Sequence, residues 1–142
     1  MASTKNRNLL PEKIHRLLSG VDPRIFFGLI LFISALILIG HVGTMPLVLA
    51  EGRWALISRH MFRTGELFKP LLGNYIYWDK PLLSYWATLP FAHLIGGVNE
   101  TVIRLPSVFA ALLMLAFTFD LARRWFEIET AIWSAAILST TY

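Results

Sequence analysis

Hydrophobic residues fall in long blocks along this chain, and the polar positions gather between the blocks. From 25 to 50 no formally charged side chain occurs. At about 1.5 Å of rise per residue, such a stretch crosses the hydrocarbon of a bilayer, and it predicts a transmembrane helix over 25–45. The block is too long for the core of a cleavable leader, and no small-residue cleavage site of the A-x-A kind follows it. Two further apolar blocks occupy 82–98 and 105–122, and a fourth begins near Ala131.

Between the first two blocks the pattern changes. Over 51–64 the apolar Trp54, Ile57 and Met61 recur on one stripe while Arg59, His60 and Arg63 point away, which predicts an amphipathic helix. Thr64-Gly65 ends it, since glycine is the usual left-handed residue past a helix terminus. The turn residues of Glu66-Leu67-Phe68-Lys69-Pro70 and the stretch 71–77 predict an ordered loop. A second helix is expected over about 81–96, with Asp79 capping free backbone N–H groups and Pro81 in the first turn. Arg104-Leu105-Pro106-Ser107 is expected to set the start of the next helix, over 105–122.

Composition agrees with the block pattern: 56% of residues are hydrophobic and 15% charged, too apolar for an ordinary soluble domain of this length. Charge placement supplies an orientation. Lys5, Arg7, Lys13, Arg16 and Arg24 all precede the first block, so residues 1–24 are expected on the cytoplasmic side and the first helix runs outward. If 82–98 lies in the interface, with Tyr85 and Trp86 at headgroup level and Pro90, His93 and Gly96-Gly97 breaking it, Arg123-Arg124 returns to the cytoplasm. The expected plan is then an outer loop over 46–104, a second span over 105–122, a cytoplasmic turn over 123–129 and a third span starting at 130–142. The chain has no cysteine, which removes disulfides and thiolate metal sites. Membrane lipids are expected partners and nucleic acid is not.

The candidate chemistry sits where charges meet the ends of apolar segments: Glu51, Arg53, Asp79, Lys80 and Arg104. Arg53, Lys80 and Arg104 together make a seat for a phosphate or diphosphate headgroup, because a guanidinium offers a bidentate fork and an ammonium a point charge. A neighbouring carboxylate can serve as base. The plainer alternative is that the cations snorkel from helix ends and Asp79 only caps. Trp54, Tyr77 and Tyr85 line a sugar or lipid groove on one reading and anchor the interface on the other.

Glu51-Gly52-Arg53-Trp54-Ala55-Leu56-Ile57-Ser58-Arg59-His60-Met61, then Thr64-Gly65-Glu66, Pro70, Asn74, Tyr77-Trp78-Asp79-Lys80-Pro81-Leu82 and Tyr85-Trp86, and finally Arg104-Leu105-Pro106-Ser107 follow one another in order. This series resembles the N-terminal region of polyprenyl-phosphate-dependent glycosyltransferases. It is most similar to the ArnT-like enzymes, which transfer aminoarabinose to lipid A, within the group that includes the protein O-mannosyltransferases. The resemblance implies an all-α, polytopic GT-C fold, with two juxtamembrane helices in the first outer loop and an active site at the outer face of the membrane. For a bacterial chain that is the periplasmic side of the inner membrane. It further implies that Arg53 and Lys80 hold the phosphate of an undecaprenyl-type sugar donor and that Asp79 can contact a divalent metal ion. The acceptor is a glycolipid, a polysaccharide or a protein.

One position departs from the family pattern. Where these enzymes open the first juxtamembrane helix with an Asp-Glu pair, this chain has Ala50 and then Glu51. Either Glu51 takes the role of catalytic base, the reading favoured from sequence, or another base serves, or the chain does not catalyse the same reaction. The resemblance also implies that 142 residues form only an N-terminal part of such an enzyme. The rival reading is a non-catalytic membrane subunit, or a lipid-binding relative, that keeps the phosphate-binding cations.

Overall fold

A computed structural model describes residues 22–141. Helix α1 spans Pro23–Val42, α2 Ala50–Thr64, α3 Leu82–Trp86, α4 Leu89–Ile95, α5 Glu100–Trp125 and α6 Ile128–Ser139. Two short strands, β1 (Leu71–Leu72) and β2 (Tyr75–Ile76), pair antiparallel with Leu71 opposite Ile76 and Leu72 opposite Tyr75. The protein is mostly helical, as expected, with this one hairpin in the segment read as loop. Gly73 opens the two-residue turn at φ 64, a conformation that costs glycine nothing.

Among the described residues, α1 and α5 are the two helices long and apolar enough to cross a membrane. At about 1.5 Å per residue, the 20 residues of α1 reach about 30 Å, the thickness of the hydrocarbon layer. Leu29, Phe32, Leu36 and Ile37 on α1, and Phe109, Phe117 and Leu121 on α5, are exposed. Large apolar side chains in that number suit a lipid surface. α5 begins five residues before the expected 105, because Asn99 caps it: its Oδ1 accepts the Val102 N–H at 2.9 Å. Arg104 and Pro106 therefore lie within the helix, not at its start.

The helix expected over 81–96 is two helices. Pro90 has no N–H with which to continue the ladder through Ala87 and Thr88, but it fits the first turn of α4. Each piece is too short to cross a bilayer. Pro81 precedes α3 and no side chain caps it, so Asp79 does not have the capping role read from sequence. The basic residues Lys5, Arg7, Lys13 and Arg16 lie outside the described residues.

The chain packs as two units. In the unit Ser34–Met114, α2 is the central element. Ile57 and Met61 meet Tyr85 and Leu89 of α3 and α4, with Trp54, Leu72 and Trp86 around them. Ala55 joins Ala92, Val98, Val102 and Ile103. Gly65, at φ 75, ends α2 by returning its N–H to the Met61 carbonyl at 2.9 Å, which is the stop read from the sequence. The Trp86 indole N–H, bonded to the Leu67 carbonyl at 2.8 Å, ties the following loop to α3. In the other unit, the Phe27 and Phe119 rings stack at 4.0 Å, and Phe119 packs on Ala131 and Ala135 of α6. There Asp120 pairs with both Arg123 and Arg124 one turn along its own helix.

Candidate functional site

The five charged residues singled out from sequence fall into two clusters, both in the unit built around α2. Glu51 and Arg53 stand two positions apart on α2, so their side chains leave the helix roughly 200° from each other. Glu51 goes to α5 and Arg53 goes to the segment after the hairpin.

On the first side, the Arg104 Nε donates to Glu51 Oε1 at 3.0 Å and its Nη2 to Oε2 at 2.8 Å. Arg104 Nη1 also donates to the carbonyls of Val42 at 2.8 Å and Met45 at 2.9 Å, and Nη2 to that of Pro46 at 3.2 Å. A guanidinium has five N–H groups, and each of these has a partner here. Val42 is the last residue of α1, whose final carbonyls have no helical partner and carry the negative end of the helix dipole. Arg104 thus ties the end of α1, the link that follows it and the start of α2 to one helix. It has no donor left for a phosphate, which corrects its expected place among the carrier-binding cations.

Glu51 is committed in the same way. Its carboxylate accepts both Arg104 bonds, and Oε2 lies 3.3 Å from the Val48 N–H. The hydrogen bond from Arg104 holds the Glu51 carboxyl below the usual glutamate range; burial opposes this, while the Val48 N–H and the Arg104 charge add to it. Arg104, not Arg53 or Lys80, is thus what favours the ionised form of Glu51. A carboxylate so stabilised is a weak proton acceptor.

On the second side, Arg53 Nη1 donates to the Tyr77 hydroxyl at 2.8 Å, and that hydroxyl donates to Asp79 Oδ2 at 3.2 Å. Lys80 Nζ lies 3.9 Å from the same Asp79 oxygen. The Arg53 guanidinium also sits 5.6 Å from the centre of the Tyr77 ring. The hairpin positions this group, because the Tyr77 N–H closes onto the Pro70 carbonyl at 2.7 Å as the chain leaves β2. Arg53, Asp79 and Lys80 are all exposed, so two cations keep open donors beside one carboxylate. A phosphate fits such a pair. A metal ion fits less well: Asp79 is the only carboxylate in the cluster and faces Lys80, and no group of three potential ligands gathers among the described residues.

The aromatic residues separate. Tyr77 belongs to the cation cluster. Trp54 lines a cavity of about 300 Å³ with Ser84, Thr88, Ile103 and Ser107. Tyr85 is packed away in the core: it is 1% exposed, and burial pushes its phenol pKa up, with Tyr77 and Asp79 adding to the shift. Arg59, expected to point away from the core, is drawn in to the Val98 carbonyl at 2.9 Å.

Residues 79–142 match the family model described as dolichyl-phosphate-mannose-protein mannosyltransferase. The chain is also similar to undecaprenyl phosphate-alpha-4-amino-4-deoxy-L-arabinose arabinosyl transferases. With that of Pectobacterium atrosepticum it is 36% identical over 92 residues, which are 64% of this chain and 16% of the relative. With that of Erwinia tasmaniensis it is 33% identical over 91 residues, 63% of this chain and 16% of the relative. With that of Pseudomonas aeruginosa it is 30% identical over 91 residues, again 63% and 16%. The match thus spans about a sixth of the length of these relatives. No solved structure matches. The resemblance read from the ordered motifs is upheld: over these stretches the chain is similar to the polyprenyl-phosphate-sugar glycosyltransferases.

Proposed function

We propose that this chain supplies the donor-binding corner of a transferase that moves a sugar from an undecaprenyl-type phosphate carrier to a glycolipid, polysaccharide or protein acceptor. The site faces the periplasm, at the outer surface of the bacterial inner membrane. The observation that carries this reading is the cluster in which Arg53 and Lys80 present open donors, oriented through Tyr77 and Asp79. In a displacement at the anomeric carbon, the bond to the carrier oxygen breaks while the acceptor oxygen attacks. Negative charge then grows on the departing polyprenyl phosphate, and cations already aimed there lower the barrier. Their weight falls on rate and carrier binding, not on folding.

Glu51 has a different part in this reading. Both of its oxygens are held by Arg104, and it leaves α2 away from Arg53, so it braces the site and another base takes the acceptor proton. Ala50, in place of a carboxylate, and the committed Glu51 also favour a second reading, a relative that binds the carrier without transferring the sugar. One comparison tests both. Membranes carrying the protein, or its joint Arg53→Gln and Lys80→Gln variant, are given undecaprenyl phosphate linked to a labelled sugar. Loss of transfer by about a hundredfold in the variant is expected, since removing one such donor costs roughly 100- to 1,000-fold in rate. Carrier retention without transfer by the wild type would favour the second reading. Equal transfer and equal retention by both proteins would refute the donor site.

A further inference from the structure

On α2, one turn and more past Arg53, three basic side chains border a separate cavity of about 420 Å³: Arg59, His60 and Arg63, with Leu56 and Leu71 as its apolar wall. Arg53 and Arg59 are six positions apart, so the two are separated by about 9 Å along the axis and about 120° around it. We propose that this cavity is a second phosphate site, one that takes a phosphate monoester at the membrane surface and is distinct from the carrier-phosphate cluster.

Arg59 and Arg63 stand at i and i+4, neighbours on one helical face, where two like charges repel. Arg59 is oriented by one Nη2 bond to the Val98 carbonyl, which leaves Nε and Nη1 without a hydrogen bond among the described residues. Arg63 makes no hydrogen bond or ion pair among the described residues. His60 Nε2 is buried without a hydrogen bond, 3.7 Å from Glu66 Oε2. Glu66 is the one carboxylate paired to this basic group among the described residues, and it meets His60 and neither arginine. An anion between the two guanidiniums relieves their repulsion and gives each a charge-assisted acceptor, and a phosphate monoester supplies the oxygens for both forks. Leu56 and Leu71 accommodate the apolar start of an attached lipid, so the phosphate can arrive on a lipid or free.

The test uses the purified protein reconstituted in phosphatidylcholine vesicles doped with phosphatidic acid, with lipid retention read by native mass spectrometry and inorganic phosphate as competitor. Wild type is expected to retain phosphatidic acid, and Arg63→Gln, at an exposed side chain with no hydrogen bond or ion pair among the described residues, to retain it about tenfold less. Arg59→Gln is expected to lose at least as much. In the joint Arg53→Gln and Lys80→Gln background, which removes the donor cluster as a seat for the lipid phosphate, adding Arg63→Gln is expected still to lower retention about tenfold, so failure of the donor site and failure of this one are separable. Competition by inorganic phosphate would identify the phosphate group alone as the ligand; retention that phosphate does not displace would identify the lipid headgroup. Binding of inorganic phosphate without retention of phosphatidic acid would identify free phosphate. Wild-type retention no greater than that of Arg63→Gln, with no binding of inorganic phosphate, would overturn the proposal.

Discussion

Arg104 and Glu51 meet fork to fork, at 3.0 and 2.8 Å, across 53 positions of sequence. Arg104 holds three backbone carbonyls besides, so the two partners are unequal. Glu51→Gln keeps an acceptor for one Arg104 bond and is expected to cost about 1–3 kcal/mol. Arg104→Gln strands a carboxylate and carbonyls at the end of α1 together, and is expected to cost more. In a double-mutant cycle read by thermal unfolding in detergent, the two losses should fall short of adding by about 1 kcal/mol. Additive losses of equal size would show that the pair is not a clamp.

Acid should open the same clamp. The Glu51 carboxyl is held below its ordinary value of 4.5 in the folded protein, so its contribution to stability is fully present above that value and is lost as pH falls through the lower folded one. The stability difference between wild type and Glu51→Gln should therefore shrink as pH drops below 4.5, and stay constant from there up to neutrality. Melting curves of both proteins across that range are the measurement. A difference that persists unchanged into strong acid would mean that Glu51 acts through its shape and not its charge.

Block hydrophobicity and chain punctuation made the helices legible. The uncharged run from 25 yields α1, and Gly65 stops α2 where its left-handed preference places it. Local cues with a competitor were read less well: Arg104-Leu105-Pro106-Ser107 looks like a helix start because Pro106 suits a first turn, but Asn99 and its side-chain oxygen start the helix earlier. The candidate site shows the same division. Tyr77, Asp79 and Lys80 are near in sequence, and α2 brings Arg53 to them. That Glu51 faces away from Arg53 follows from 100° per residue and could have been read from spacing alone. That Arg104 is saturated could not, since three of its partners are backbone carbonyls, which every residue has.

Tyr77 links Arg53 to the carboxylate it shares with Lys80 through a single oxygen, accepting from Arg53 and donating to Asp79. Tyr77→Phe removes both bonds and leaves the ring under the guanidinium. A net hydrogen bond contributes about 0.5–1.5 kcal/mol, so transfer should fall by roughly threefold to tenfold, well short of the loss on removing Arg53 and Lys80. Initial rates of sugar transfer at several carrier concentrations measure this. A Tyr77→Phe variant as impaired as the joint variant would instead give the hydroxyl a direct role on the substrate.

Two glycines separate backbone from packing in the same unit. Neither Gly52 nor Gly73 has any atom within 4 Å of where a Cβ would stand, so alanine meets open space at both. Gly52 lies inside α2, where alanine gains about 0.5–1 kcal/mol by restricting the unfolded chain. Gly73 sits at φ 64 in the hairpin turn, where alanine loses about 1–2 kcal/mol to the left-handed conformation. Gly52→Ala should therefore raise the unfolding temperature and Gly73→Ala lower it. Because the turn leads into Tyr77, the second change should also weaken carrier retention, through loss of the position at which Tyr77 meets Arg53. A Gly73→Ala protein as stable as wild type would mean that the hairpin does not hold the cluster, and that the Arg53 to Tyr77 bond orders the loop instead.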